Sequence, residues 1–350
     1  MNILETLSKS PFSSKYLSWI SYYFLPFFAI LIMRNGINFW GYDHYAIAWA
    51  KDWPKPVSQF SVEDSGNLML AKLFVIDTRL SWMVLHAVLT GLFIILAAFL
   101  VSREKLSNIQ KRALFILILA SALTMMLMQE IGYFDVITII GALTLAFGNS
   151  MAIRILGTIV MCSGNTPQTL IATFLFGTLI SLTQNRKKYD IDLRLFIPFL
   201  VACIIWILER LWLGGLGREA EFGPGMWLYS TKGFLIASPL YLYALLGPIW
   251  FIATTAAEKM KGFTLKRLFL IFTVLILVPA LFGIVTTEST RDALCIMSPA
   301  LLWFFKYLVS ERQLVLSRIQ ILALALMPSF LVWREGAIVE PWSVLQRFFF

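Results

Sequence analysis

MVLHAVLTGLFIILAAFLVS, residues 83–102, decides the fold class, because the whole stretch passes without a charge. A helix of that length rises about 30 Å, the thickness of a bilayer's hydrocarbon core. LFLIFTVLILVPALFGIVT, residues 268–286, repeats the pattern. Inside lipid the backbone must satisfy its own hydrogen bonds, so spans this apolar form helices. The alternating segments of a membrane β-barrel, roughly ten residues each, do not appear. Across the chain of 350 residues, 59% are hydrophobic and 14% charged, and the mean hydropathy is +0.78. A soluble domain carries about a quarter charged residues. The chain reads as an all-α polytopic membrane protein, one transmembrane domain over 1–350.

Working outward, apolar runs mark spans at 17–33, 83–102, 113–128, 134–147, 151–163, 167–183, 193–210, 236–254, 268–286, 294–308 and 315–333, eleven in all. The first follows a polar N-terminus without a small-residue cleavage site, so it reads as a retained span. The fourth and fifth are short, which suits a broken pair or a re-entrant hairpin buried against protein. Lysine and arginine in short loops set the orientation. Lys9, Lys15, Arg103, Lys105, Lys111, Arg112, Arg154 and the basic residues near 186–194, 259–267 and 306–318 fall on one side, 18 of the 29. That side is expected to be cytoplasmic, with the N-terminus on it. Of the 20 acidic residues, 14 then fall outside or at outer span ends. The positive-inside rule does not require this asymmetry. The long loops, 34–82 and 211–235, and the tail 334–350 share that external face, where sites are usually built. The net charge of +9 is accounted for by cytoplasmic anchoring, not by nucleic acid. Cys162, Cys203 and Cys295 lie in apolar segments and show no metal spacing.

Four external clusters carry candidate chemistry. Trp40-Gly41-Tyr42-Asp43-His44-Tyr45 opens a stretch without helix breakers up to Trp53, predicting an interfacial helix with Asp43 and His44 in its first turn. The helix dipole favours a carboxylate there, so Asp43 is either a helix-stabilising residue or a catalytic one. Glu130 and Asp135 bracket the tight turn after the third span, and ionisable groups near hydrocarbon are costly; the alternative is water-exposed interfacial carboxylates. Glu209 and Arg210 precede a glycine-rich loop carrying Arg218, and guanidinium suits phosphate; internal Arg–Glu pairing is the plainer account. Glu288, Arg291 and Asp292 sit at the mouth of the tenth span, either contacting a lipid phosphate or sugar or pairing Glu288 with Arg291. Arg334 ends the last span, as a ligand or a snorkelling side chain. Asn165-Thr166-Pro167-Gln168 reads as a polar external turn, either plain or one that hydrogen-bonds a sugar. His86, just inside an apolar span, reads as packed.

The first-loop acid with Tyr45 and Ala46 beyond it resembles the first external loop of GT-C-type glycosyltransferases. The resemblance implies a polyprenyl-linked sugar donor, a glycan or lipid acceptor and work at the external face of a bacterial cytoplasmic (inner) membrane. It implies Asp43 as catalytic base, with Glu130 or Asp135 as a second external acid. In that reading His44, Tyr45, Arg210, Arg218, Glu288, Arg291, Asp292 and Arg334 contact substrate, the arginines taking charge on the leaving phosphate. No intrinsic metal site is indicated; a divalent cation, Mg or Mn, held by Asp43 and another external carboxylate with substrate phosphates is the alternative. Two further readings stand beside it: an O-antigen, capsule or exopolysaccharide polymerase, with a weaker resemblance, and a lipid-linked glycan flippase or transporter. Charges at span ends and apolar middles argue against the last.

Overall fold

A computed structural model describes residues 29, 31–32, 36–37, 43–53, 65–133, 135–184, 192–215, 231–285, 289–327, 329–332 and 338–339. Most of the first expected span lies outside these residues. So do Arg218, Glu288 and Arg334, and so do the side chains of Asp43, His44 and Tyr45.

The described chain is helical apart from two two-residue strands. Helices α1 (Asp43–Asp52) and α2 (Ser65–Leu73) occupy the loop expected between the first two spans. The long α3 (Arg79–Arg103) is started by a capping box in which Thr78 and Ser81 bond reciprocally. Next come α4 (Asn108–Ala120) and α5 (Ala122–Gln129), a pair bent by 46°, then α6 (Asp135–Phe147) and α7 (Met151–Thr183). A short 3-10 turn leads into α8 (Ile197–Gly215), and α9 (Thr231–Leu246) runs through another into α10 (Ala253–Lys259). Then α11 (Leu265–Phe272) continues through a π-helical turn, Thr273–Leu277, into α12 (Val278–Val285), and α13 (Ser289–Ser310) follows. Among the described residues six helical segments, α7 taken whole, are long and apolar enough to cross a bilayer, seven if the bent pair counts as one.

The exposed faces support a membrane setting. Along α3, Leu80, Val84, Val88, Leu92, Ile95 and Phe99 form an outward apolar stripe, while Trp82, His86, Thr90 and Phe93 are buried. A soluble helix of this kind would aggregate; a lipid-facing one has no reason to be polar.

Helix α7 spans 33 residues by hydrogen-bond pattern but is not one rod. Asn165 has extended angles, φ −169° and ψ 101°. The Arg154 guanidinium lies 5.9 Å from the Phe176 ring, whereas a straight helix would hold those residues about 33 Å apart. The chain therefore folds back at Asn165, dividing α7 into two arms where two spans were expected. The first arm pairs with α6 through glycines: a Cβ on Gly141 would stand 2.5 Å from the Met161 nitrogen, and one on Gly157 2.5 Å from the Leu145 nitrogen. Small residues let the backbones close in this way. Thirteen-residue α6 rises only about 20 Å, short of the ~30 Å a span needs. It is buried nearly throughout. The first arm of α7, by contrast, leaves Ile153, Leu156 and Ile159 exposed.

One expected span fails. Residues 315–333 give only the nine-residue α14 (Arg318–Leu326), after which β1 (Leu331–Val332) pairs antiparallel with β2 (Ile338–Val339). Met327 adopts φ −68°, ψ 142°, as expected before Pro328, whose ring disfavours helical geometry in the preceding residue. Apolar composition marked this segment; it could not show that the proline ends the helix so early.

The bundle has two unlike ends. Glu104 pairs with Lys306 at 2.6 Å near Lys111, Arg267 and Arg312 at one rim. Glu130, Asp135, Asp292 and Glu209 collect at the other, where α2 packs against the fold-back of α7, a Cβ on Gly66 meeting Ser163. Ala50 of α1 and Leu68 of α2 share a small core with Trp82, so both helices cover this acidic rim.

Candidate functional site

Three helices begin at the acidic rim, each with a polar residue in its first turn. Asp135 opens α6 and Asp292 lies in the first turn of α13. The second arm of α7 starts at Asn165, whose Oδ1 accepts from the Gln168 amide at 3.1 Å, with Pro167 in the first turn. That is an N-cap with proline just inside the helix. Helix N-termini carry partial positive charge, each worth about 0.3–1 kcal/mol to a nearby carboxylate and up to about 2 when partly buried. Asp135 and Asp292 are only 5% and 7% exposed.

Their partners come from distant sequence. Arg291 Nη1 stands 3.0 Å from Asp135 Oδ2, and its Nη2 3.9 Å from Asp292 Oδ1. The same guanidinium lies 4.6 Å from the Tyr133 ring centroid. Gln168 Nε2 donates to Asp292 Oδ1 at 2.7 Å, and the Cys295 thiol reaches Asp135 Oδ1 at 3.4 Å. Glu130, 7% exposed, adds a third carboxylate whose field reaches Arg291. With these three carboxylates ionised, one guanidinium leaves the cluster net negative.

The turn carrying Glu130 is held from below. Gly132 takes φ +116°, a conformation glycine alone adopts freely, and its carbonyl accepts from the Trp82 indole at 2.8 Å. Glu130, Tyr133 and Asp135 then line a narrow cleft together with His86, Thr90 and Met126.

Of the residues read from sequence, Glu130, Asp135, Arg291 and Asp292 meet. Glu130 and Asp135 are buried, not water-exposed interfacial carboxylates. Arg291 pairs with Asp135 rather than standing open to a phosphate. Arg210 belongs to a separate cluster on α8, its guanidinium 5.5 Å from the Trp206 ring centroid, beside Glu209, whose Oε1 lies 2.7 Å from the Thr166 hydroxyl. Asp43 heads α1 as expected, with the helix packed at the same rim, while its side chain, like those of His44 and Tyr45, is outside the described residues. Arg218, Glu288 and Arg334 also lie outside them. Among the described residues no group of three or more His, Cys, Asp or Glu could hold a metal ion.

Tyr133 and Cys295 were not read as site residues, and Gln168 only as part of a polar turn able to hydrogen-bond a sugar. The Asn165-Thr166-Pro167 sequence does signal a helix start, which places Gln168 in a first turn; nothing in it says that the turn faces Asp292. Comparison with protein families, curated proteins and solved structures returns no match to this chain.

Proposed function

We propose that this protein is a membrane glycosyltransferase that draws a sugar from a polyprenyl-linked carrier and works at its acidic rim. The observation that carries the reading is the convergence of Glu130, Asp135, Arg291 and Asp292, buried at one end of an apolar bundle. Ionisable groups so placed are costly and mark function by default. A carboxylate at this rim, Asp43 or Glu130, takes the proton from the acceptor hydroxyl. Arg291, already countered by two carboxylates, holds them in place; the leaving phosphate falls to Arg210 and Arg218. The charge asymmetry orients the acidic rim outward, at a cytoplasmic membrane in this reading.

The test uses purified protein in nanodiscs with undecaprenyl-phosphate-[14C]glucose and a lipid extract as acceptor source. Wild type should produce labelled glycolipid. Glu130→Gln and Asp43→Asn should each lower the rate by about 10²–10⁴, the usual contribution of a general base, while eluting as folded protein. Transfer near wild type in both variants removes these carboxylates from the mechanism. A ladder of products instead of single additions would reassign the protein as a polymerase.

A further inference from the structure

At the rim opposite the acidic one, two arginines from distant parts of the chain meet one aromatic ring. The Arg267 guanidinium lies 4.1 Å from the Phe263 ring centroid and the Arg312 guanidinium 4.5 Å from it. Each is held by its own contacts. Arg267 donates to the carbonyls of Leu182 and Gln184, where α7 ends. Arg312 Nε donates to the Tyr307 hydroxyl at 2.7 Å, and the Tyr307 ring stacks on Trp303. Arg312 is half-buried. Among the described residues nothing is bonded to its Nη ends, and no carboxylate lies within ion-pair distance of it. Positive-inside placement accounts for cations on this rim. It does not require two of them to converge on one ring.

The surroundings suit a charged headgroup with its chains. Thr264 caps α11, its hydroxyl accepting from the Arg267 amide at 3.3 Å, which leaves the Leu265 and Lys266 amides as first-turn donors. The helix dipole favours an anion at that end. Leu265–Gly283 is long and apolar enough to cross a bilayer, so the first turn of α11 falls at headgroup depth. From there Leu265, Phe269 and Phe272 run along the helix, all exposed, as a face for acyl chains. The acids of the two adjoining connections, Glu258 and Glu311, are exposed and outnumbered by Lys259, Lys261, Lys266, Arg267 and Arg312. A zwitterionic headgroup would bring an ammonium against these cations, and a free phosphate would leave the apolar face unused. We propose that the junction of α10, α11 and the end of α13 binds an anionic glycerophospholipid of the leaflet this rim faces. Its phosphate oxygens accept from the Arg312 guanidinium, and its chains lie on Phe269 and Phe272. Basic pockets between membrane helices take such headgroups. The inference is independent of the glycosyltransferase reading.

The experiment is native mass spectrometry of the full chain released from a neutral detergent, titrated with phosphatidylglycerol, with phosphatidylcholine of the same chains, and with inorganic phosphate. Wild type should retain phosphatidylglycerol about tenfold more tightly than phosphatidylcholine, the worth of a charge-assisted hydrogen bond. Inorganic phosphate should not displace it. Arg312→Gln should weaken phosphatidylglycerol binding by about tenfold for the same reason. Arg103→Gln removes the same charge from the same rim, at a side chain that lies on Phe99 instead, and should leave binding nearly unchanged. Equal affinity for the two lipids, equal losses in the two variants, or displacement of the lipid by inorganic phosphate each overturns the site. Equal losses would mean attraction by the rim's overall charge, and displacement would mean a free-anion site. The comparison of lipids is made on wild type, so it decides the matter even where Arg312→Gln fails to fold.

Discussion

Replacing Arg291 with methionine removes the cation within ion-pair distance of Asp135 and Asp292 while keeping an unbranched side chain. At 3.0 Å and an effective dielectric near 20, the gross attraction to Asp135 is about 5–6 kcal/mol, and the 3.9 Å contact with Asp292 adds about 4. Desolvation of the three ions offsets most of that, so the intact cluster contributes little net stability. Loss of one partner is different, because the remaining charges stay buried without compensation. Arg291→Met should therefore destabilise the protein by about 3–5 kcal/mol. Asp135→Asn keeps the shape and leaves Arg291 its contact with Asp292, so its cost should be about 1–3 kcal/mol. The double variant should cost less than the sum of the two by about 1–3 kcal/mol, since the charges interact directly. Reversible unfolding in mixed micelles, titrated with dodecyl sulfate and followed by near-UV circular dichroism, measures all three. Strict additivity, or an Arg291→Met protein within about 1 kcal/mol of wild type, would refute the claim that this guanidinium neutralises a buried acidic cluster.

Gly141→Ala places a methyl 2.5 Å from the Met161 nitrogen and should cost about 2–4 kcal/mol by prising α6 from α7. Gly91→Ala, with nothing within 4 Å of the new Cβ, should be neutral or stabilise by about 0.5–1 kcal/mol; thermal melts in detergent compare the pair, and equal melting points would contradict the close packing. The orientation is tested by cysteines at Asp77 and Lys105, exposed at opposite ends of α3. A membrane-impermeant maleimide should label Asp77→Cys on intact cells and Lys105→Cys only after permeabilisation, and the reverse pattern would invert the assigned faces.

Composition and charge-free runs determined the class of this protein, because the demand for some twenty apolar residues per crossing is written in local sequence. They also placed most elements: the run at 83–102 falls inside Arg79–Arg103, and that at 134–147 nearly coincides with Asp135–Phe147. The division near 165 was legible too, since Asn-Thr-Pro is a helix-start signal. Hydropathy failed at 315–333, where apolar residues continue past the end of α14 into a strand pair. It reports what a segment can bury, not its backbone path.

The site divides along the same line. The clustering of acids at span ends was visible in sequence, and it singled out Glu130, Asp135, Arg291 and Asp292. Their meeting was not: Arg291 lies beside Asp135 because α13 packs alongside α6, and Gln168 joins them because α7 folds back at Asn165. Periodicity tells which face of a helix is buried but not which neighbour buries it. For the same reason His86 read as a packed histidine. Packed it is, against Trp82, and only the third dimension shows it lining one cleft with Glu130 and Asp135.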